Sequence, residues 1–299
     1  MDAIATDDLC KSFGRRAALR QVNLRVPTGG RFGFLGPNGA GKTTTIRILL
    51  GLLRASAGNA RMLGQDVWRA GPKIRAQVGY LPGDVRFYDG LTGRATLAFL
   101  DAARGRNSRG EIRRLVKRFD LDLDKRVRDY SRGMKQKLGL IQALMHRPRL
   151  LILDEPTIAL DPLIRELLYQ ELRDVTADGR TVLFSSHTLS EVEQLCDEVA
   201  ILRDGRLIEQ ERIEVLRRRA VRHVEALFDE GGRPATPPPE GLRVTRQSDA
   251  RLSGTWQGPV QPLVSWLAGG RVRDLRIAPP DLEDLFLAYY ADSTPEKPA

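Results

Sequence analysis

The chain has 299 residues, of which 41% are hydrophobic and 29% charged, and its formal net charge is +10. This composition is typical of a soluble globular chain with room for one large domain and a small one. No stretch approaches the 18 consecutive apolar residues of a membrane-spanning helix. Cys10 and Cys196 form no CxxC pair, which favours a reduced setting over a disulfide framework. The acidic N-terminus lacks the apolar core of a secretory signal.

Residues 2–35 are predicted to form short strands. Val22, Leu24 and Val26 alternate with polar residues, which is the pattern of a half-buried strand. The apolar segment Arg31–Leu35 follows a Pro-Thr-Gly-Gly turn and is predicted to be a further strand.

A glycine-rich loop follows that strand. Gly36–Thr43 fits GxxxxGK followed by Thr, and it opens an apolar helix predicted over Thr43–Leu53. Backbone N–H groups of such a loop and the helix N-terminus bind phosphates. Lys42 is placed to reach the β- and γ-phosphates and Thr43 to ligate Mg²⁺. The strand–loop–helix context argues against a chance glycine-rich turn. The residues expected to bind ATP are Gly36, Pro37, Asn38, Gly39, Ala40, Gly41, Lys42, Thr43 and Thr44.

The middle of the chain changes from strands to helices. A strand and turn are predicted over Gly58–Asp66 and a short strand over Val78–Pro82. Residues 84–147 are predicted to be an inserted helical subdomain, with helices at Thr92–Ala103, Ser108–Phe119 and Met134–His146. Ser108, with Glu111 three residues later, predicts a capping box at the second helix.

A buried strand then returns at Leu150–Leu153 and ends at two carboxylates, Asp154 and Glu155. Beside a phosphate loop, Asp154 is placed to hold Mg²⁺ and Glu155 to act as general base on water. Two solvated loop acids are the alternative. The elements predicted after this strand are a helix at Leu163–Thr176, a strand at Thr181–Ser185 and a hairpin of Val199–Leu202 with Arg206–Ile208.

A second domain is predicted from residue 220, so that the division is 1–219 and 220–299. Val224, Ala226 and Phe228 alternate as in a strand. Further strands are predicted near 242–247 and 251–257, helices over 260–267 and 282–289, and a disordered tail over Ser293–Ala299.

A second helix start also suits phosphate. Ser131 is a natural N-cap and Gly133 keeps the first turn open, although a structural cap is the alternative. Because this helix lies on the inserted subdomain, one nucleotide can use both helix N-termini only if they face each other. Two chains arranged head-to-tail satisfy that condition.

These motifs, taken in order, resemble the ATP-binding cassette of ABC transporters. The resemblance rests on the phosphate loop, the Ser-x-Gly helix start, the Leu150–Thr157 run and His187, and it covers residues 4–215. The forms Tyr130–Met134 and Pro280–Phe286 are similar to the multidrug or antibiotic export subfamily, in which the cassette is a separate polypeptide with a small C-terminal domain.

The resemblance implies roles for further residues. Phe13 would stack on adenine, Asp161 would signal across a dimer, and His187 would contact the γ-phosphate. The alternatives are a strand-end core Phe, a plain turn acid and a satisfied core His. The residues that would face the partner chain's ATP are Ser131, Arg132, Gly133 and Met134.

Two positions depart from the family pattern. Gly83 stands where a Gln or Glu is usual, so no side chain there ligates Mg²⁺, and Asp84 is the candidate substitute. Arg132 and Met134 also differ from the usual Leu-Ser-Gly-Gly-Gln, although Ser131 and Gly133 are kept.

The expected fold is α/β: a P-loop NTPase core with an N-terminal antiparallel β subdomain, an inserted helical subdomain and a small C-terminal α/β domain. The expected function is an ATPase that dimerises around two ATP, with Mg²⁺, and powers export through a separate permease. The expected partner is a second copy of the chain. The expected location is cytoplasmic, on the inner face of the membrane through the permease.

Two other classes of P-loop protein fit only part of this sequence. The positive charge is compatible with a cassette that acts on nucleic acid or ribosomes, but such factors resemble two tandem cassettes and this chain has one. No stable nucleic-acid complex is therefore expected. A metabolic P-loop kinase lacks the Ser-x-Gly helix start and the switch histidine.

Overall fold

A computed structural model of the chain describes residues 1–105, 107–248 and 250–280. The chain divides into two compact units, Met1–Glu211 and a second unit that begins at Arg212. No helix among the described residues is both long enough and apolar enough to cross a membrane.

The elements up to the boundary alternate between strands and helices. In chain order they are β1 (Asp2–Phe13), β2 (Arg16–Val22), β3 (Arg25–Pro27), β4 (Arg31–Leu35), α1 (Lys42–Leu49), β5 (Ala57–Met62), β6 (Gln65–Asp66), α2 (Gly71–Arg75), β7 (Val78–Leu81), α3 (Gly93–Ala103), α4 (Arg109–Phe119), α5 (Arg132–Leu144), β8 (Leu150–Asp154), α6 (Pro162–Ala177), β9 (Thr181–Ser186), α7 (Leu189–Leu195), β10 (Glu198–Arg203) and β11 (Arg206–Arg212).

Two sheets build the first unit. The N-terminal sheet has the order β2-β1-β5-β6, with β3 paired to β1, and its pairings are antiparallel. The central sheet has the order β11-β10-β4-β9-β8-β7, in which β10, β4, β9, β8 and β7 run parallel. Strands β8 and β9 are buried along their whole length; β8 is accordingly apolar up to Asp154, and β9 has an apolar centre at residues 182–184, between Thr181 and two buried serines. The predicted P-loop NTPase core with its antiparallel subdomain is confirmed.

The parallel register brings the functional segments together. Asp154, the last residue of β8, pairs with Ser185 of β9, and Leu35 at the end of β4 pairs with Ser186. The carboxyl ends of three neighbouring strands therefore meet at one edge of the sheet. Helices α3 to α5 lie in the chain between β7 and β8, which confirms the predicted helical insertion.

Some predicted boundaries are wrong for identifiable local reasons. The helix predicted to Leu53 ends at Leu49, because Leu50 is its C-cap and Gly51 takes a left-handed φ of 65°. The capping box at Ser108 is also wrong. The Ser108 side chain makes no cap hydrogen bond; instead its backbone N–H donates to both Asp101 carboxylate oxygens, at 2.9 and 3.2 Å. Glu111 pairs with Arg114.

The second unit is a four-stranded sheet with helices. Its elements are α8 (Ile213–Arg219), β12 (Arg222–Phe228), β13 (Leu242–Gln247), β14 (Arg251–Trp256), α9 (Val260–Leu267) and β15 (Val272–Pro280), and the sheet order is β13-β14-β12-β15. Leu263 and Leu267 of α9 belong to the same apolar core as Val224, Ala226 and Phe228, as the alternation predicts. The boundary lies before α8 rather than after it. The helix predicted over 282–289 and the tail lie outside the described residues.

A buried ion-pair network joins the helical insertion to the core. Glu171 of α6 is 2% exposed and accepts hydrogen bonds from Arg114 of α4 at 2.5 and 2.9 Å. Arg118 Nε lies 3.0 Å from the same carboxylate and Arg118 Nη2 lies 3.1 Å from Asp174. The hydrogen bonds that Arg114 donates to Glu171, and then those that it donates to Glu111, raise the pKa of Arg114. One carboxylate thus fixes two turns of α4 against α6.

Removing that carboxylate should destabilise the first unit. We expect Glu171→Gln to lower the free energy of unfolding by about 2–3 kcal/mol, below the 3–5 kcal/mol of a fully buried pair because water reaches both guanidinium groups. Glu166→Gln, at the exposed pair with Arg173 on the same helix, should cost about 0.5 kcal/mol or less. Urea unfolding measures both, and equal costs would show that the network adds nothing beyond a surface pair.

Candidate nucleotide-binding site

The phosphate loop connects the end of β4 to the first turn of α1. Its N-cap residue, Gly41, has a φ of 111°, and no side chain caps the helix. A Cβ at Gly41 would lie 2.6 Å from the Leu19 side chain, and one at Gly36 would lie 2.2 Å from the Leu202 carbonyl oxygen. Both glycines are therefore required by close packing. The helix N-terminus remains open to an anion.

Thr43 and Asp154 meet at the edge of the sheet. Thr43 Oγ1 donates to Asp154 Oδ2 at 2.8 Å, and Ser185 Oγ donates to Asp154 Oδ1 at 2.6 Å. Asp154 is buried, and each of its carboxylate oxygens accepts a hydrogen bond from a hydroxyl group of a neighbouring element. Burial and the Asp154 carboxylate raise the pKa of nearby Tyr80 to about 12. Sequence reasoning missed Ser185, which reveals its role only through the β8–β9 register.

Glu155 lies between a lysine and a histidine. Its Oε1 is 3.2 Å from Lys42 Nζ, and its Oε2 is 2.8 Å from His187 Nδ1. The backbone N–H of Glu155 donates to the Ser185 carbonyl oxygen at 3.1 Å, and its φ of 51° is left-handed. Lys42 Nζ also donates to the Gly36 carbonyl oxygen. The structure thus brings the two candidate catalytic residues, Glu155 and His187, into contact.

A pocket of about 730 Å³ is lined by Lys42, Thr43 and Glu155 together with Phe13. The Phe13 ring is half exposed and lies beneath Lys11 Nζ, 5.0 Å from the ring centroid, so it is not a core residue. The pocket is also lined by residues that sequence reasoning missed, which are Arg15, Arg16, Arg20, Asp204 and Gly205. Arg15 lies in the β1–β2 turn, Arg16 and Arg20 lie on β2, and Asp204 and Gly205 form the β10–β11 turn, which the sequence predicts as a hairpin turn without indicating a nucleotide contact.

The start of α5 is a capped helix N-terminus on the inserted subdomain. Ser131 is the N-cap, and its Oγ accepts from the Met134 backbone N–H at 3.2 Å. A Cβ at Gly133 would lie 2.8 Å from the Ala159 carbonyl oxygen, so the first turn packs closely on the loop before α6. Arg132 is exposed. Asp161 caps α6 through the Ile164 backbone N–H at 3.0 Å, as the alternative of a structural turn acid also predicts.

The candidate substitute for the missing Gln is not brought to the site. Gly83 approaches Asp154, since a Cβ there would lie 3.8 Å from Asp154 Oδ2. Asp84 instead forms an exposed ion pair with Arg86 at 2.7 Å. No hydrogen bond or ion pair joins Asp84 to Thr43 or Asp154 within the described part of the chain. The loop thus brings backbone, and no carboxylate, to Asp154.

The fold and the site define a P-loop ATPase, and comparisons with known proteins give its family. The ABC transporter family profile matches residues 19–158. An ABC transporter ATP-binding protein of Synechocystis sp. is 36% identical over 90% of this chain and 77% of its own length. The bacitracin transport ATP-binding protein BcrA of Bacillus licheniformis is 37% identical over 74% of each chain. The Nod factor export ATP-binding protein I of Paraburkholderia xenovorans is 37% identical over 69% of each chain.

Solved structures agree with these relatives. An ATP-binding subunit of an ABC transporter superposes with a TM-score of 0.68 at 30% identity, over 73% of this chain and 92% of that chain. The dimeric bacterial cassette MJ0796 has the same fold, with a TM-score of 0.66 at 22% identity over 70% of this chain and 98% of that chain. The chain belongs to the ABC transporter ATP-binding proteins.

Adding one methyl group to the loop should test its packing. We expect Gly36→Ala to weaken nucleotide binding at least about tenfold, because its Cβ overlaps a backbone carbonyl that cannot move without shifting β10. Gly90→Ala is the matched control, since nothing lies within 4 Å of its Cβ position. Fluorescent nucleotide titration measures both variants, and wild-type affinity in Gly36→Ala would contradict the close packing.

Proposed function

We propose that the chain hydrolyses ATP within a dimer of two copies and thereby drives export through a separate membrane permease. The observation that carries the proposal is the joining of Lys42, Thr43, Asp154, Glu155 and His187 at one sheet edge, beside a pocket that Lys42, Thr43 and Glu155 line together with Phe13. The bacitracin and Nod factor relatives, which their names assign to transport and export, support the direction of transport. The chain would then work at the inner face of the membrane.

The residues at the sheet edge fit Mg²⁺. The Thr43 hydroxyl and the Asp154 carboxylate are oxygen donors whose hydrogen bond is 2.8 Å long. Mg²⁺ prefers oxygen ligands and is usually held by one or two protein groups together with waters and substrate phosphates. Thr43 and Asp154 would therefore hold the ion, and when bound it would neutralise phosphate charge. Ser185 keeps Asp154 in position for that role.

Each remaining side chain has a role that its contacts support. Glu155 takes a proton from the attacking water as general base. His187 holds the Glu155 carboxylate through the 2.8 Å contact and contacts the γ-phosphate. Lys42 binds the β- and γ-phosphates as a point charge, for which the phosphates compete with Glu155. Phe13 stacks on the adenine ring, a contact worth roughly 1–3 kcal/mol.

The general-base role predicts a separation of binding from turnover. Glu155→Gln should keep ATP binding and slow hydrolysis by about two orders of magnitude or more, because the carboxylate that accepts the proton is lost. The variant should accumulate an ATP-bound dimer, measured by gel filtration with ATP and Mg²⁺. Glu166→Gln is the control for an exposed carboxylate on α6. Wild-type hydrolysis by Glu155→Gln would remove Glu155 from the reaction.

The position of the second helix start, the N-terminus of α5, supports the proposed dimer. Ser131 and Gly133 lie on the inserted subdomain, whereas the phosphate loop lies on the central sheet. We infer that the α5 N-terminus of each copy faces the γ-phosphate held by the other, with Arg132 and Met134 beside it and Asp161 at the interface. The dimeric cassette MJ0796 has this chain's fold, which supports such an arrangement.

We call the proposed site, formed by the phosphate loop of one copy and the α5 N-terminus of the other, the composite site. It predicts that a substitution at the α5 N-terminus affects the dimer but not the monomer. Ser131→Arg should leave ATP binding by the monomer nearly intact and block ATP-driven dimerisation and hydrolysis, because a bulky cation fills the helix N-terminus meant for the partner's nucleotide. Loss of monomer binding would place the helix start in the chain's own site. In a heterodimer of Ser131→Arg with Lys42→Ala, both altered residues fall in the same composite site. The other composite site then has an unaltered phosphate loop and an unaltered α5 N-terminus, so some ATP-driven dimerisation should return.

A further inference from the structure

Three arginines line the nucleotide pocket without ion-pair partners. Arg15 lies in the β1–β2 turn, and Arg16 and Arg20 lie on β2. All three are exposed, and within the described residues no hydrogen bond or ion pair engages their guanidinium groups. Lys42, the other pocket cation, is already held by Glu155 and two backbone carbonyl oxygens. Among the residues that the structure describes, the β2 side of the pocket therefore carries positive charge that no ion pair neutralises.

The register of β2 gives each arginine a position along the pocket. Arg16 pairs directly with Phe13 of β1, at the end assigned to the base. Ala18 lies beside the start of α1, since a Cβ at Gly41 would be 2.9 Å from the Ala18 carbonyl oxygen. Ala18 is two positions after Arg16 along the strand, a step of about 7 Å. Arg16 thus lies between the base end and the phosphate loop, and Arg20 lies on the far side of Ala18.

We propose that Arg16 binds the α-phosphate of the nucleotide, as a phosphate contact additional to the phosphate loop. This rests on the proposed function, because a base on Phe13 and terminal phosphates on Lys42 leave the ribose and the α-phosphate beside Arg16. A guanidinium group offers donors in a planar fork that fits a phosphate, and it accepts no hydrogen bond from ribose hydroxyls. Arg15 and Arg20 add positive potential on the same side.

The contact can be measured as the difference between the affinities of the protein for AMP and for adenosine. Competition against a fluorescent ATP analogue gives the affinity of both compounds, which differ only in the α-phosphate. We expect Arg16→Gln to reduce the ratio of AMP to adenosine affinity about tenfold while adenosine affinity is unchanged. Arg16→Lys should restore part of the ratio, because it keeps the charge and loses the fork. Arg61→Gln, an exposed arginine on β5 outside the pocket, should match the wild type.

Three outcomes would overturn the assignment. Unchanged affinities of Arg16→Gln for both compounds would remove the contact, and an equal loss of affinity for adenosine and AMP would place the effect on the base. If the ratio fell equally in Arg16→Gln and Arg61→Gln, the effect would come from the overall positive charge of the protein and not from a contact of Arg16. Failure of the nucleotide binding on which the proposed function depends is distinguishable, because the wild type would then bind neither the ATP analogue nor AMP.

Discussion

The site depends on how the Asp154 carboxylate is fixed between two hydroxyl groups. Thr43 reaches it from the first turn of α1 and Ser185 from the end of β9, so one buried anion joins the phosphate loop to two strands of the central sheet. A buried carboxylate without such donors would be costly, and with them it becomes a rigid reference point. Glu155 follows directly in sequence and its backbone N–H donates to the Ser185 carbonyl oxygen. The positions of Lys42 and His187 relative to Glu155 follow from the same strand register.

The sequence was sufficient for the parts of the fold that local chemistry determines. The glycine pattern predicts the phosphate loop, and the apolar run before Asp154 predicts a buried parallel strand, because both signals are contiguous. Ser185 and the pocket arginines had no such signal. Ser185 reaches Asp154 through the pairing of β8 with β9, which are separated in the chain by α6, whereas the pocket arginines lie near Phe13 through the β1–β2 hairpin. β15 was missed for the same reason, since its partner β12 supplies the pairing that makes it a strand.

Helix ends were the least predictable feature, because competing backbone partners decide them. Ser108 has the right side chain for a cap, yet the buried Asp101 carboxylate accepts from its backbone N–H instead. The apolar residues after Leu49 continue the helical pattern, but Gly51 ends it through a left-handed φ. Asp84, the candidate to replace the missing Gln, likewise has a nearby partner, because it accepts a hydrogen bond from Arg86 two residues away. At Ser108 and Asp84 a nearby partner of opposite polarity overrode the sequence pattern, and after Leu49 the backbone conformation of a glycine did so.

The left-handed backbone at Glu155 has a consequence for the stability of the site. A residue with a Cβ is strained at a φ of 51°, where glycine is relaxed. Glycine at this position would release strain on the order of 1 kcal/mol. It would also delete the carboxylate in contact with Lys42 and His187 and leave the Lys42 ammonium, whose side chain is 6% exposed, without its ion-pair partner, which costs more than the strain released. The strained backbone at Glu155 is therefore retained by the contacts of its own side chain, so the carboxylate proposed for turnover also stabilises the site around it.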